Sequence, residues 1–180
     1  MKKVILISSI SLYIINIIRK IRTHLGINTR DIQKILELDP DGNILGAIES
    51  SSNSAKYHDQ HLNKLALAFT DKSFELGYNI TYTLNDFYPP IDFEEKMVEK
   101  VIVKIDPTEL GQTGTLYLLL VEESNAFFDD WHTSKEIAQY CGSKAEKNWE
   151  AKDFTAIIDQ AVKKGIFIRK SEKEALFKRP

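Results

Sequence analysis

Between Ile14 and Phe69 the chain carries short apolar runs at helical spacing, and each run is closed by turn chemistry. Ile14, Ile15, Ile18, Ile21 and Leu25 recur in steps of three and four, which draws one stripe along a helix and leaves Arg19, Lys20 and Arg22 outside it. Gly26 ends that helix. Asn28 or Thr29 can cap a second, in which Ile32, Ile35 and Leu36 form the next stripe. Asp39-Pro40-Asp41-Gly42 reads as a turn, because proline fixes φ and glycine accepts positive φ. A third helix starts near Asn43 and turns Leu45 and Ile48 inward. After a loop from Ser50 to Asn53, a fourth helix with Leu62, Leu65, Ala66 and Phe69 covers the other three.

Two short helices joined by a turn and braced on either side form the helix-turn-helix arrangement, whose second member can lie in a DNA major groove. Leu25-Gly26-Ile27, Asp31-Ile32, Leu36, Leu45 to Glu49 and His61-Leu62-Asn63-Lys64-Leu65-Ala66 carry that pattern. In their spacing they resemble the lambda-repressor-like, Cro or XRE-type helix-turn-helix family. Lys56-Tyr57 through Ala66, followed by Asn85-Asp86-Phe87-Tyr88-Pro89, is similar to small regulators of this family from Bacteroidota. The turn is longer than the family's common pattern, and its extra residues, around Asp39 to Asp41, make it acidic.

The resemblance implies a sequence-specific, double-stranded-DNA-binding transcriptional regulator. Base edges would be read from Asp41, Gly42, Asn43, Ile44 and Ala47, with Asn43 suited to adenine and Ile44 or Ala47 to a thymine methyl. Phosphate contacts are implied for Asn28, Thr29 and Arg30 at one helix start and for Lys56 and Tyr57 at another. The other reading left open is a protein-interaction module, an antitoxin-like or phage-defence adaptor, whose helix-turn-helix no longer reads DNA.

Charge fits a basic face rather than a basic protein. The net charge is −2, yet six basic and no acidic residues precede Asp31. Residues 1–90 carry ten basic against nine acidic groups, and residues 91–180 fourteen against seventeen. One cysteine, Cys141, excludes an internal disulfide or a Cys-based metal cluster and fits a cytoplasmic protein. It is read as a half-buried thiol where a helix meets Gly142. Val4 to Ile18 is apolar, but Ser8, Ser9, Ser11 and Asn16 interrupt it and it falls short of the ~20 residues of a membrane span. Lys3 to Ser11 is expected to pack on the domain or on a partner chain.

Tyr78, Ile80 and Tyr82 alternate as in a short strand, and Pro89-Pro90 marks the expected boundary between a domain at 1–90 and a second at 91–180. In the second, Val98, Val101, Val103 and Ile105 suggest a strand ending at Asp106-Pro107. Leu116 to Val121 is continuously apolar, with continuation to Phe127 favouring helix. Thr133-Ser134-Lys135-Glu136 is a capping box. Asn148 is expected to cap a helix striped by Phe154, Ile157, Ile158, Ala161 and Val162 and ended at Lys163-Lys164-Gly165. Ile166 to Arg169 and Ala175 to Lys178 flank a hairpin.

Two helices and a hairpin resemble a winged helix. Lys144, Lys147, Lys152, Arg169 and Lys170 offer that half a second DNA contact, but Glu146, Glu150 and Asp153 stand among them, so protein contact or dimerisation is preferred. The expected fold is mainly α, α+β overall: an N-terminal helical bundle and a small α+β winged-helix-like domain. The expected partners are duplex DNA, a second copy of the chain, and a protein docking on 91–180. Neither His132 beside Asp129 and Asp130 nor His58 with His61 has a second ligand pair, and no phosphate-cradling loop, nucleophile elbow or metalloprotease motif occurs. No enzyme activity, cofactor, metal or small-molecule substrate is expected.

Overall fold

The computed structural model describes residues 4–39, 42–171 and 173–180, which are mainly helical with two small antiparallel sheets. They form two compact units, Met1–Lys104 and Ile105–Pro180, so the division falls after Lys104 rather than at Pro89-Pro90.

In the first unit β1 (Leu6–Ser8) runs straight into α1 (Ser9–His24), whose buried Ile14, Ile15 and Ile18 are the anticipated stripe. Gly26, at φ 64°, closes the helix as its N–H and that of Ile27 turn back to the Thr23 and Arg22 carbonyls. Next come α2 (Thr29–Ile35), α3 (Ile44–Ile48) and α4 (Asp59–Glu75). Helix α2 packs on α3 and α4, and a 3₁₀ turn at Leu84–Phe87 seats buried Phe87 between α1 and α4. Ile32, Leu45, Ile48, Leu62, Leu65 and Phe69 fill the shared core.

Two expected strands differ. Tyr78 to Tyr82 is irregular, because the Ile80 and Tyr82 N–H groups donate to the Ser73 and Thr70 hydroxyls at 2.8 and 2.9 Å instead of to a neighbouring strand. The segment after Pro90 returns to the bundle, and β2 (Met97–Glu99) pairs antiparallel with β1, Ile7 facing Val98. The apolar extension therefore packs on its own domain. Regular strand covers only part of Val98 to Ile105, with unexpected polarity: Lys100 is buried, while Val101 and Val103 are exposed. Lys2 and Lys3, and Pro40 and Asp41 of the proposed turn, lie outside the described residues.

In the second unit α5 (Gln112–Tyr117) continues into a π turn, Leu118–Glu122, so the apolar run is helical. A short strand β3 (His132–Thr133) precedes α6 (Ser134–Ala145), whose capping box forms as expected. Helix α7 (Ala151–Lys163) starts later than Asn148, since Glu150 and Asp153 make the box that opens it. The hairpin β4 (Ile168–Arg169) and β5 (Leu176–Lys178) follows, and β3 adds to it in the order β3-β5-β4. Leu116, Leu119, Phe128, Ile137, Phe154 and Phe177 pack at the centre. Cys141 is fully buried within α6 rather than half-exposed at its end.

Candidate nucleic-acid interface

Helices α2 and α3 are too short to hold themselves, so their pose comes from what they bury. Ile32, Leu45 and Ile48 point into the core, and the Gln33 side-chain amide donates to the Gly42 carbonyl at 2.7 Å, tying α2 to the residue before α3. The Gly42 N–H donates in turn to the Asp39 carbonyl at 3.0 Å. At the far end of α3, Glu49 meets buried Arg22 in a two-point ion pair. Tyr57 donates its hydroxyl to the same carboxylate at 3.4 Å.

These ties leave a defined set of groups exposed. Asn43 precedes α3 and is exposed, Ile44 is 42% exposed, and Ala47 is half-buried. The Asn43 amide folds over Gly46, with its Oδ1 2.1 Å from where a Cβ would stand on that glycine. Thr29, Arg30 and Lys56 are exposed. A hollow of about 340 Å³ is lined by Arg30, Gln33, Lys34 and Leu38, so two cations one helical turn apart on α2 share a concave surface.

Two of the residues implied for phosphate are placed otherwise. Tyr57 is buried in the core at 7% exposure, and burial, with Glu49 beside it, pushes its phenol well above the ordinary tyrosine range. It serves the Arg22–Glu49 pair and presents no hydroxyl to a ligand. The Asn28 side chain accepts the Asp31 N–H at 2.7 Å, which makes it the cap of α2. Asp41 lies outside the described residues, and Gly42 offers a carbonyl already bonded to Gln33.

Lys34 joins Arg30 on the hollow, and its step of four residues on one helix is a signal the sequence itself carries. The Arg22–Glu49 pair and Lys100 gave no local signal, because their partners are remote in the chain. Elsewhere the His132 Nε2 lies 2.7 Å from the Phe127 carbonyl, its Nδ1 lies 4.0 Å from a Glu136 carboxylate oxygen, and its ring stacks on Phe127. Among the described residues no group of three or more His, Cys, Asp or Glu is placed to hold a metal ion, and no helix is long and apolar enough to cross a membrane.

No protein-family model, no curated protein and no solved structure matches the chain.

Proposed function

We propose that the chain is a cytoplasmic DNA-binding transcriptional regulator, acting as a dimer. Helices α2 and α3 would serve as a lambda-repressor-like helix-turn-helix. One observation carries this reading: the apolar side of α2 and α3 is committed to the core, while Arg30 and Lys34 flank a hollow on α2 and Asn43 and Ile44 are exposed at the start of α3. Exposed cations position a duplex through its phosphates, and an amide beside an apolar group suits the adenine and thymine edges of the major groove. The phosphate set becomes Thr29, Arg30, Lys34 and Lys56, and the base set stays Asn43, Ile44 and Ala47.

In the second unit the order strand, helix, helix, hairpin, with β5 between β3 and β4, supports a winged-helix-like module. Acidic residues alternate with its lysines, and Lys152 already lies 2.8 Å from Glu150. That module is assigned to protein contact or to dimerisation.

The alternative, an interaction module without DNA binding, is favoured by the exposed acidic Asp39 near the start of α3. Fluorescence anisotropy of the full chain with a random-sequence duplex, at about 50 and 200 mM salt, separates the two. Contact with about four phosphates lowers affinity on the order of a hundredfold across that range. No binding at the lower salt, with co-purification of a stoichiometric protein partner, overturns the DNA reading.

A further inference from the structure

Lys100 follows β2 directly and is 1% exposed, an unusual position for a lysine. Its N–H donates to the Ile5 carbonyl at 2.8 Å, which fixes its backbone to the strand beside it. The side chain runs inward, and its ammonium donates to the carbonyls of Asn53 at 2.7 Å, Ala55 at 2.9 Å and Ala47 at 3.3 Å. An ammonium has three N–H donors, and here each has a carbonyl. Burial lowers the pKa of this amine, and the ring of carbonyl oxygens opposes that by favouring the charged form.

The three acceptors are not scattered. Ala47 belongs to the last turn of α3, and beside the ammonium its carbonyl accepts a long bond from the Ser50 N–H at 3.4 Å. Asn53 and Ala55 lie in the loop that leads to exposed Lys56. A cation at a helix C-terminus is favoured by the aligned peptide dipoles, and more so when water is excluded. A second tie runs beside it, where the Ile102 N–H donates to the Ser51 hydroxyl at 3.2 Å. The segment after Pro90 thus grips both ends of the loop that separates the base-reading helix from the next phosphate-contacting lysine.

We infer that Lys100 is a positioning residue for sequence recognition: its ammonium, delivered by the β1–β2 sheet, sets the pose of α3 and of the loop carrying Lys56 against duplex DNA. This rests on the DNA-binding reading above. Lysine is required chemically, since methionine matches its length without donors and the planar arginine fork does not fit three converging carbonyls. Lys100 touches no DNA itself, so phosphate attraction survives its loss while discrimination does not.

The test uses the full chain, a duplex selected by the wild type from a random pool, and a scrambled duplex. Lys100→Met is expected to keep the helical circular dichroism and a salt slope within about one unit of wild type, while the selected-to-scrambled affinity ratio falls about tenfold or more. Lys100→Ala should lose the same ratio, and propylammonium, which places an ammonium in the vacated channel, should restore it where propanol does not. Amide hydrogen exchange of Lys100→Met without DNA should speed up at Glu49 and Ser50. An unchanged ratio in Lys100→Met, or rescue by propanol as well, overturns the inference while leaving DNA binding intact. Failure of the wild type to bind any duplex overturns the parent reading and the recognition role together. Unchanged exchange at Glu49 and Ser50 removes the tie itself, whatever DNA does.

Discussion

The Arg22 guanidinium meets the Glu49 carboxylate at two points inside the first unit, Nε to Oε1 at 2.8 Å and Nη2 to Oε2 at 2.5 Å, with Arg22 only 1% exposed. The pair joins α1 to the end of α3, and Arg19 stands 3.8 Å from the same carboxylate. Removing Arg22 takes both of its bonds from the largely buried Glu49 carboxylate, which keeps the longer one from the Tyr57 hydroxyl at 3.4 Å. Arg22→Met is therefore expected to destabilise by about 3 kcal/mol, the low end for a broken buried pair because Arg19 remains. Arg22→Met with Glu49→Met should recover much of that loss. Urea denaturation followed by circular dichroism reads both, and a double variant no more stable than the single one contradicts the account.

Arg30 and Asn43 test the two halves of DNA recognition. Arg30→Ala is expected to weaken binding to every duplex alike and to reduce the salt slope by about one unit. Asn43→Ala should leave the slope unchanged and lower preference at one base pair by about 1–3 kcal/mol. Anisotropy titrations against single-base variants of a selected duplex give both quantities. If neither substitution alters binding, α2 and α3 do not face DNA.

Elements whose cause is local were legible in the sequence. The stripe of α1, its stop at Gly26, the Thr133 capping box and the ending of α7 at Lys163-Lys164-Gly165 each follow from neighbours a few residues apart. What failed depends on remote partners. Tyr78 to Tyr82 alternates like a strand, but Ser73 and Thr70 on α4 supply acceptors first. Around β2 the apolar pattern points one way and burial the other, because Lys100 finds carbonyls some fifty residues earlier while Val101 and Val103 face out. The candidate site divides in the same manner. Arg30, Asn43, Ile44 and Lys56 are exposed, whereas Tyr57 is buried in the core with its hydroxyl on Glu49, a contact no spacing rule reveals.

Cys141 is buried in α6, and burial pushes its thiol up to about 12. Only the thiolate reacts quickly with disulfide reagents, so the native chain near pH 8 is expected to be inert to Ellman's reagent. One thiol per chain should appear only in denaturant. Rapid labelling of the native protein at that pH indicates that α6 opens readily.

Glu136 accepts the Thr133 N–H at 2.7 Å and the Thr133 hydroxyl at 2.9 Å, and these bonds hold its carboxyl below the ordinary glutamate value. A lowered folded-state pKa means that the contribution is complete above the unfolded value, about 4.3, and is lost as pH falls through the folded value. The Thr133 amide resonance should therefore titrate with a midpoint under that of a free glutamate. In Glu136→Ala the resonance should stay flat across the same range. A midpoint at or above the ordinary value excludes the capping bond in solution.

Gly46 and Gly142 both sit inside helices and both lack room for a methyl group, yet the obstacles differ in kind. A Cβ on Gly142 would meet the Lys147 carbonyl oxygen at 2.5 Å, a backbone atom fixed by the chain's turn into the loop before α7. A Cβ on Gly46 would meet only the Asn43 amide, whose Oδ1 lies at 2.1 Å and whose side chain can rotate away. Alanine also favours a helix over glycine by about 1 kcal/mol, which helps in both places and decides only where the clash is soft. Gly142→Ala is expected to destabilise by about 1–3 kcal/mol, as an overpacked core site does. Gly46→Ala should leave the melting temperature unchanged or raise it, while driving the Asn43 amide off α3. The same variant should then mimic Asn43→Ala on DNA in a stable protein. Thermal melts paired with titrations on the single-base duplex series distinguish the two sites. A Gly46→Ala protein that keeps the wild-type base preference removes Asn43 from the recognition set.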